Sequence, residues 1–170
     1  MSLTLETERL ILRKPQAKDA DPYLQFYQSA RAEYVGGILP ADKAWRQFAL
    51  TVGHWDLLGF GFFAVTRHGD DTCLGMIGNW QPYGWPEPEI AWIIFEAAEG
   101  QSIAFEAASR VLDHTRETLR WDTAVSYVAP ENTRSAALAT RLGATKDPKA
   151  DTPMGYDIDV YRHPLMKEAT

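Results

Sequence analysis

Glu89-Ile90-Ala91-Trp92-Ile93-Ile94-Phe95, then Glu96-Ala97-Ala98-Glu99-Gly100-Gln101-Ser102, then Ile103-Ala104-Phe105-Glu106-Ala107-Ala108 is the stretch on which the fold turns. Its first part, Ile90 to Phe95, is an apolar run of strand length, as expected where both faces of a strand are covered. Its last part has the helical period. Ile103, Ala107 and Val111 form one row, Ala104, Ala108, Leu112 and Leu119 a neighbouring one, and Glu106, Arg110, Asp113 and Glu117 take the opposite side. Between the two, Gly100 removes a side chain where the chain turns. A helix start leaves main-chain N–H groups without partners and carries a partial positive charge. A strand–turn–helix of this kind is therefore a candidate phosphate cradle.

Upstream, Trp85-Pro86-Glu87-Pro88 turns the chain into this strand, predicted over Glu87–Phe95. Phe60–Thr66 and Thr72–Trp80 are rich in β-branched and aromatic residues and flank the polar turn His68-Gly69-Asp70-Asp71, which predicts a hairpin. Before them come a strand over Glu8–Arg13, a helix over Asp19–Ser29 and a helix over Ala41–Leu50 with Trp45, Phe48 and Ala49 as its apolar stripe. Downstream, Thr123–Val128 is a strand and Thr133–Leu142 a helix, with Asn132 as N-cap and Gly143 just past its end. A short strand near Ala144–Lys146 and a last one over Tyr156–Arg162 follow. The order β-α-α-β-β-β-α-β-α-β predicts an α/β fold: a mixed, mostly antiparallel central sheet with one parallel crossover and helices on both faces. The 170 residues are expected to form one domain.

An apolar share of 45% supports a true core, and 23 acidic against 17 basic residues give a formal charge of -6. That balance speaks against nucleic acid as the main partner and suits a cationic substrate. Cys73 is the only cysteine and sits in the apolar run Cys73-Leu74-Gly75-Met76-Ile77, so a buried, unpaired thiol is expected. The histidines (His54, His68, His114, His163) lack ligand spacing, and no metal is predicted. No secretory leader is visible, and the longest weakly charged stretch, Phe48 to Thr66, contains His54, Asp56 and three glycines, so no membrane partner is expected. The cytoplasm is the default compartment.

Glu99-Gly100-Gln101-Ser102-Ile103-Ala104, followed by Glu106-Ala107, resembles the acetyl-coenzyme A pyrophosphate loop of the GNAT acetyltransferases, written [Q/R]-x-x-G-x-[G/A]. Asn132-Thr133-Arg134-Ser135, running to Leu142-Gly143-Ala144, resembles the family's N-x-x-S helix. Thr7-Glu8-Arg9-Leu10-Ile11-Leu12-Arg13 and Glu89-Ile90-Ala91-Trp92-Ile93 resemble the first and fourth strands of its RimJ/RimL branch. Two residues depart from the pattern: Glu99 stands where Gln or Arg is usual, and Ser102 where Gly is usual. A helical φ at Ser102 would remove the need for glycine.

The resemblance implies the GNAT fold and an N-acetyltransferase that uses acetyl-CoA as cosubstrate, without a metal. Main-chain groups of Trp92, Ile93 and Ile94 would pair with the pantetheine arm. The N–H groups of Glu99, Gly100, Gln101, Ser102, Ile103 and Ala104 would surround the pyrophosphate, Gly100 to Ala104 binding it. Asn132 would bond the pantetheine or thioester region, and the N–H of Ile94 would stabilise the oxyanion. Glu89 is the candidate general base, acting through water, and Ser135 the candidate donor to the leaving thiolate. Tyr127 is expected to be a packing residue before a proton donor. The acceptor would be an amine, on a small molecule or a protein N-terminus, drawn in by Glu87 or Glu89. Trp45, His54, Trp55, Trp80, Tyr83 and Trp85 are either core or the walls of its cleft. A homodimer is compatible with the resemblance. The alternative is a non-catalytic acyl-CoA-binding sensor or partner module, which Glu99 and Ser102 favour and Asn132, Ser135 and Glu89 oppose.

Overall fold

The apolar strands assemble, in a computed structural model that describes residues 3–165, into one eight-stranded sheet. They are β1 Thr4–Glu6, β2 Leu10–Arg13, β3 Phe62–Arg67, β4 Asp70–Trp80, β5 Glu89–Ile94, β6 Val125–Val128, β7 Thr145–Lys146 and β8 Asp159–Arg162. The helices are α1 Ala20–Tyr27, α2 Ala41–Leu58, α3 Ile103–His114 and α4 Thr133–Arg141. The lateral order is β1-β2-β3-β4-β5-β6-β8-β7. Every neighbouring pair is antiparallel except β5–β6, the crossover carried by α3. The expected α/β architecture holds.

α3 covers one face. Its Ile103, Ala107, Ala108 and Val111 share a core with Leu12, Phe63, Val65, Ile77 and Ile90. α1 and α2 cover the other, where Tyr23, Phe26, Tyr27 and Phe48 meet Ala64, Met76 and Ile93. Cover on both faces explains why β3 and β5 show continuous apolar runs rather than alternation. Cys73 lies within the second cluster, and burial pushes its thiol up to about 12, so it is inert at neutral pH. No helix among the described residues is long and apolar enough to cross a membrane.

Several boundaries differ from expectation, among them that of β8, which starts at Asp159 rather than Tyr156. α2 runs on past Leu50 to Leu58, because buried Thr51, His54 and Trp55 continue its inward face through Gly53. Gly59, in the left-handed region at φ 77°, ends it. β1 lies ahead of the predicted first strand, with only Leu5 buried among its three residues, too short to show alternation. The β3–β4 turn is tighter than predicted: Arg67 pairs with Asp70, leaving His68 and Gly69 as a two-residue turn. Leu119, counted in the α3 row, falls instead in a π-helical turn over Thr115–Leu119.

Close approach of β3 to β4 demands a missing side chain at Gly78, where an added Cβ would sit against the Gly61 carbonyl and 2.5 Å from the Cα of Phe62. Gly53, inside α2, has open space around it. Gly78→Ala is therefore expected to lose roughly 1–3 kcal/mol or more in urea unfolding. Gly53→Ala should gain roughly 0.5–1 kcal/mol. Equal effects from the two substitutions would contradict this packing.

Candidate active site

β5 and β6 pair at one register point, Glu89 opposite Val125. Beyond it the strands part. The Ser126 hydroxyl donates to the Ile90 carbonyl at 2.6 Å, in place of the next main-chain bond. His163 Nε2 lies 2.8 Å from that hydroxyl oxygen and is the donor, since the serine proton is already committed. Burial lowers the His163 pKa to about 4, so the imidazole is neutral.

Main-chain groups along β5 alternate in direction. The Phe95 N–H donates to the Leu74 carbonyl of β4 at 2.9 Å, and the Ile93 carbonyl lies against Gly75 of β4. Trp92 and Ile94 therefore turn their N–H and C=O groups toward the opening. Of the three residues named for main-chain pairing, these two present free groups. Ile93 spends its own on β4 and only lines the groove.

The groove is a cavity of about 690 Å³. It runs from Trp92, Ile93 and Ile94, past Glu99, Gly100 and Ser102 at the start of α3, to Asn132, Arg134 and Ser135 at the start of α4. Gly100 takes φ 72° and Ser102 takes φ 59°, both left-handed. The helical φ expected at Ser102 is thus corrected. It occupies a conformation that costs an L-residue roughly 1–2 kcal/mol and glycine nothing. Ser102 makes no side-chain cap bond, and the first intrahelical bond runs from Glu106 N–H to the Ser102 carbonyl. The N–H groups of Ile103, Ala104 and Phe105 therefore remain without helical partners at the groove wall.

Gln101 does not line the groove. Its side chain bonds Arg67 and, at 2.8 Å, the Ala97 carbonyl. Both Arg9 Nη atoms sit 3.2 Å from the Gln101 carbonyl. Arg9 Nε also donates to Glu106 at 2.6 Å, and Thr7 donates to the same carboxylate at 2.5 Å. The β1–β2 turn thereby clamps the first turn of α3 in place.

Glu99 is neither unpaired nor turned freely to solvent. Arg31 Nη1 meets it at 2.5 Å, and Arg134 meets its other oxygen. Arg31 Nε is buried without a partner among the described residues. Arg141, its guanidinium 3.9 Å from the centre of the Phe105 ring, adds a third cation to the same wall.

Asn132 is the N-cap of α4, its side-chain oxygen accepting from Ser135 N–H at 3.2 Å. Its side-chain NH₂ remains available. Trp92 Nε1–H donates to Ser135 Oγ at 3.2 Å, leaving the hydroxyl proton free to be donated elsewhere.

A second cavity, of about 290 Å³, lies on the α1–α2 side of β5 and shares Tyr34, Val35, Trp92 and Ile93 with the first. Glu89 lines it and is buried, 7% exposed. Trp85 Nε1–H donates to one of its oxygens at 2.8 Å and Tyr127 N–H to the other at 3.4 Å. Among the described residues no cation pairs with it. Burial outweighs these bonds and raises its pKa to about 7. Glu87, by contrast, is bound at 2.7 and 2.9 Å by Arg162, which holds its pKa below the usual carboxylate range and removes it as a lure for substrate.

The aromatic candidates divide. Trp80 and Trp85 line the second cavity. Trp55 is core, its indole N–H bonded to the Phe62 carbonyl at 2.7 Å. His54 is structural, donating to the Phe60 carbonyl at 2.6 Å and accepting from Gln81 N–H at 3.2 Å. Trp45 and Tyr83 are exposed and line neither cavity. Among the described residues no group of three or more His, Cys, Asp or Glu is placed to hold a metal.

An anion-ready helix start and a half-open strand edge line one groove, and a buried carboxylate lines the cavity that adjoins it. The description "Acetyltransferase (GNAT) domain" matches residues 9–145. An acetyltransferase structure from Agrobacterium tumefaciens str. C58 is 36% identical with TM-score 0.91, covering 96% of this chain and 95% of that one. The "Uncharacterized N-acetyltransferase p20" of Bacillus licheniformis is 28% identical over 96% of both chains. The RimL ribosomal L7/L12 alpha-N-protein acetyltransferase in complex with coenzyme A shares the fold, at TM-score 0.73, 14% identity and coverage of 95% and 97%. The chain belongs to the GNAT acetyltransferase family, and it is an acetyltransferase.

Sequence reasoning missed Arg31, Tyr34 and Val35, which lie between the first helices where no motif marks them. It passed over Arg134 although that residue sits inside the quoted N-x-x-S stretch. Ser102→Gly should raise stability by roughly 1 kcal/mol in thermal unfolding, because it relieves a left-handed residue. In calorimetric titration it should bind acetyl-CoA at least as tightly as the parent. Glu99→Gln should release Arg31 and Arg134 and tighten acetyl-CoA binding several-fold at low salt, with the gain shrinking as salt rises. Weaker binding by Glu99→Gln would mean the carboxylate serves the site rather than competing for its arginines.

Proposed function

We propose that this acetyltransferase moves the acetyl group of acetyl-CoA onto a primary amine by direct attack, with no covalent enzyme intermediate. The observation that carries this reading is Glu89, a buried, cation-free carboxylate beside the splay whose pKa is raised to about 7. An amine with a pKa of about 10.4 arrives protonated, and a base titrating near neutrality is suited to take its proton. The acceptor's α-amine or primary amine is of the same chemical class as the protein N-terminus acted on by RimL.

The donor supplies an activated thioester, and the chain's residues do the rest. The N–H groups of Gly100 and of Ser102 to Ala104, assisted by Arg31 and Arg134, hold its pyrophosphate. Main-chain groups of Trp92 and Ile94 pair with the pantetheine arm as an added strand, and Asn132 bonds it through its free NH₂. The Ile94 N–H stabilises the charge that develops on the thioester oxygen. Glu89 accepts the ammonium proton through water, and Ser135, its oxygen held by Trp92, donates its hydroxyl proton to the departing sulfur. A merely donor-binding module has no use for a carboxylate buried at a stability cost. A cytoplasmic location fits a chain whose one cysteine is a buried, unpaired thiol.

For the parent enzyme, kcat/KM with an amine acceptor is expected to rise through an apparent pKa of about 7. Glu89→Gln should lose that inflection and about 10²–10⁴ in rate. Because the folded pKa of about 7 lies above the ordinary 4.5, the stability Glu89 contributes is full below 4.5 and fades as pH rises through 7. Glu89→Gln should therefore gain stability over the parent between pH 4.5 and 8, by up to about 3 kcal/mol. Retention of the parent's pH profile by Glu89→Gln would remove Glu89 from the mechanism.

A further inference from the structure

The second cavity has a chemical character of its own. Its charged lining residues are Glu33, Glu89 and Asp157, and no Lys, Arg or His is among them. Glu89 is buried within it, while Glu33 and Asp157 are exposed. The remainder is rich in rings, among them Tyr27, Phe62, Trp80, Trp85, Tyr127 and Tyr156. Trp85 meets Tyr127 and Tyr156 edge-on, with centroids 6.4 and 6.3 Å apart, so this corner is already assembled. The Tyr127 ring lines the cavity while its hydroxyl is buried away from it, near the Glu87 main chain.

We infer that the acceptor is a compact monoamine cation with an aromatic or branched apolar body and no anionic group, rather than an amino acid or a protein N-terminus. This rests on the reading of Glu89 as the acceptor end of the groove. An ammonium is favoured twice, by the carboxylates and by the ring faces. A carboxylate or phosphate on the same molecule would be partly desolvated there, with no cation lining the cavity among the described residues to meet it. The volume of about 290 Å³ is at the small end for ligand sites and holds about ten water-sized groups. That is one ring and a short arm within a half-open cavity, so the rest of a peptide would lie outside it and gain nothing from the ring-lined walls. A second ammonium would have to leave Glu89 for the exposed rim carboxylates, where solvent weakens attraction.

The test is calorimetric titration of the CoA-bound protein with 2-phenylethylamine, L-phenylalanine, 1,4-diaminobutane and a tetrapeptide with a free N-terminus. 2-Phenylethylamine is expected to bind at least ten-fold more tightly than the other three. Asp157→Arg should weaken the amine and restore binding of phenylalanine, while leaving CoA affinity unchanged. Phenylalanine, the diamine or the peptide binding as tightly as 2-phenylethylamine would overturn the inference, as would no binding of any probe. Acetylation of the bound amine is measured separately. A peptide acetylated while 2-phenylethylamine fails to bind leaves the transfer chemistry standing and sinks the acceptor class. A bound but never acetylated 2-phenylethylamine supports the acceptor class and sinks the chemistry.

Discussion

Between β5 and β6 the sheet is held at a single residue pair, and what happens one residue later shapes everything around it. Buried main-chain donors and acceptors are normally paired, and leaving them open costs free energy comparable to a lost hydrogen bond. The Ser126 hydroxyl satisfies Ile90 and His163 Nε2 satisfies Ser126, so the parting of the strands starts from a bonded corner in which His163 Nδ1 alone lacks a partner among the described residues. The next outward-facing groups, at Trp92 and Ile94, have no such relief. An extended ligand with its own amides can complete the ladder that β6 abandons. The groove is in this sense an unfinished sheet, with β5 anchored in the cores on both of its faces.

The donor end shows how two departures from the family pattern are absorbed by their surroundings. A lone carboxylate at the mouth of an anion site would oppose binding, yet Glu99 is neutralised from both sides, by Arg31 from the segment after α1 and by Arg134 from α4. The local charge of the three groups together remains positive. The arginines are also held in place before any ligand arrives, at the price of a rival for their attention. Ser102 is different, since no contact removes the strain of its left-handed backbone. The clamp of Thr7 and Arg9 on Glu106 and on the Gln101 carbonyl holds the loop in that conformation from outside.

Much of this was legible in the residues because it rests on short-range rules. Periodicity marked α3, the Asn132 cap marked α4, and the double-faced apolar run marked β5 as a covered strand beside the site. What stayed hidden depends on partners far apart in the chain. No local pattern says that Arg31 reaches Glu99, or that Trp92 reaches Ser135 across 43 positions. The Thr7-Glu8-Arg9 stretch could be matched to a family, but its purpose appears only once Glu106 is seen 97 residues away at its side. The φ of Ser102 was misjudged for a related reason: helix-start geometry allows several backbone states, and tertiary clamping selected the left-handed one. Gly53 lies inside α2 because the buried face of that helix outweighs its weak helix preference.

The environment of Glu89 has the same physical cause as the character of the cavity around it. Aromatic walls exclude water and disfavour charge, which lifts the carboxylate toward neutrality. The same desolvation acts with opposite sign on an ammonium, lowering its pKa. In water a carboxylate and an alkylammonium are separated by about six pKa units, a gap that forbids proton transfer. Inside this cavity both values move toward one another, and a neutral acid beside a neutral amine becomes an accessible state rather than an ion pair. Only the neutral amine has the lone pair needed to attack a thioester. If Glu89 is the base, as proposed, an apolar wall that looks like simple substrate packing would also be what makes the carboxylate strong enough for that role.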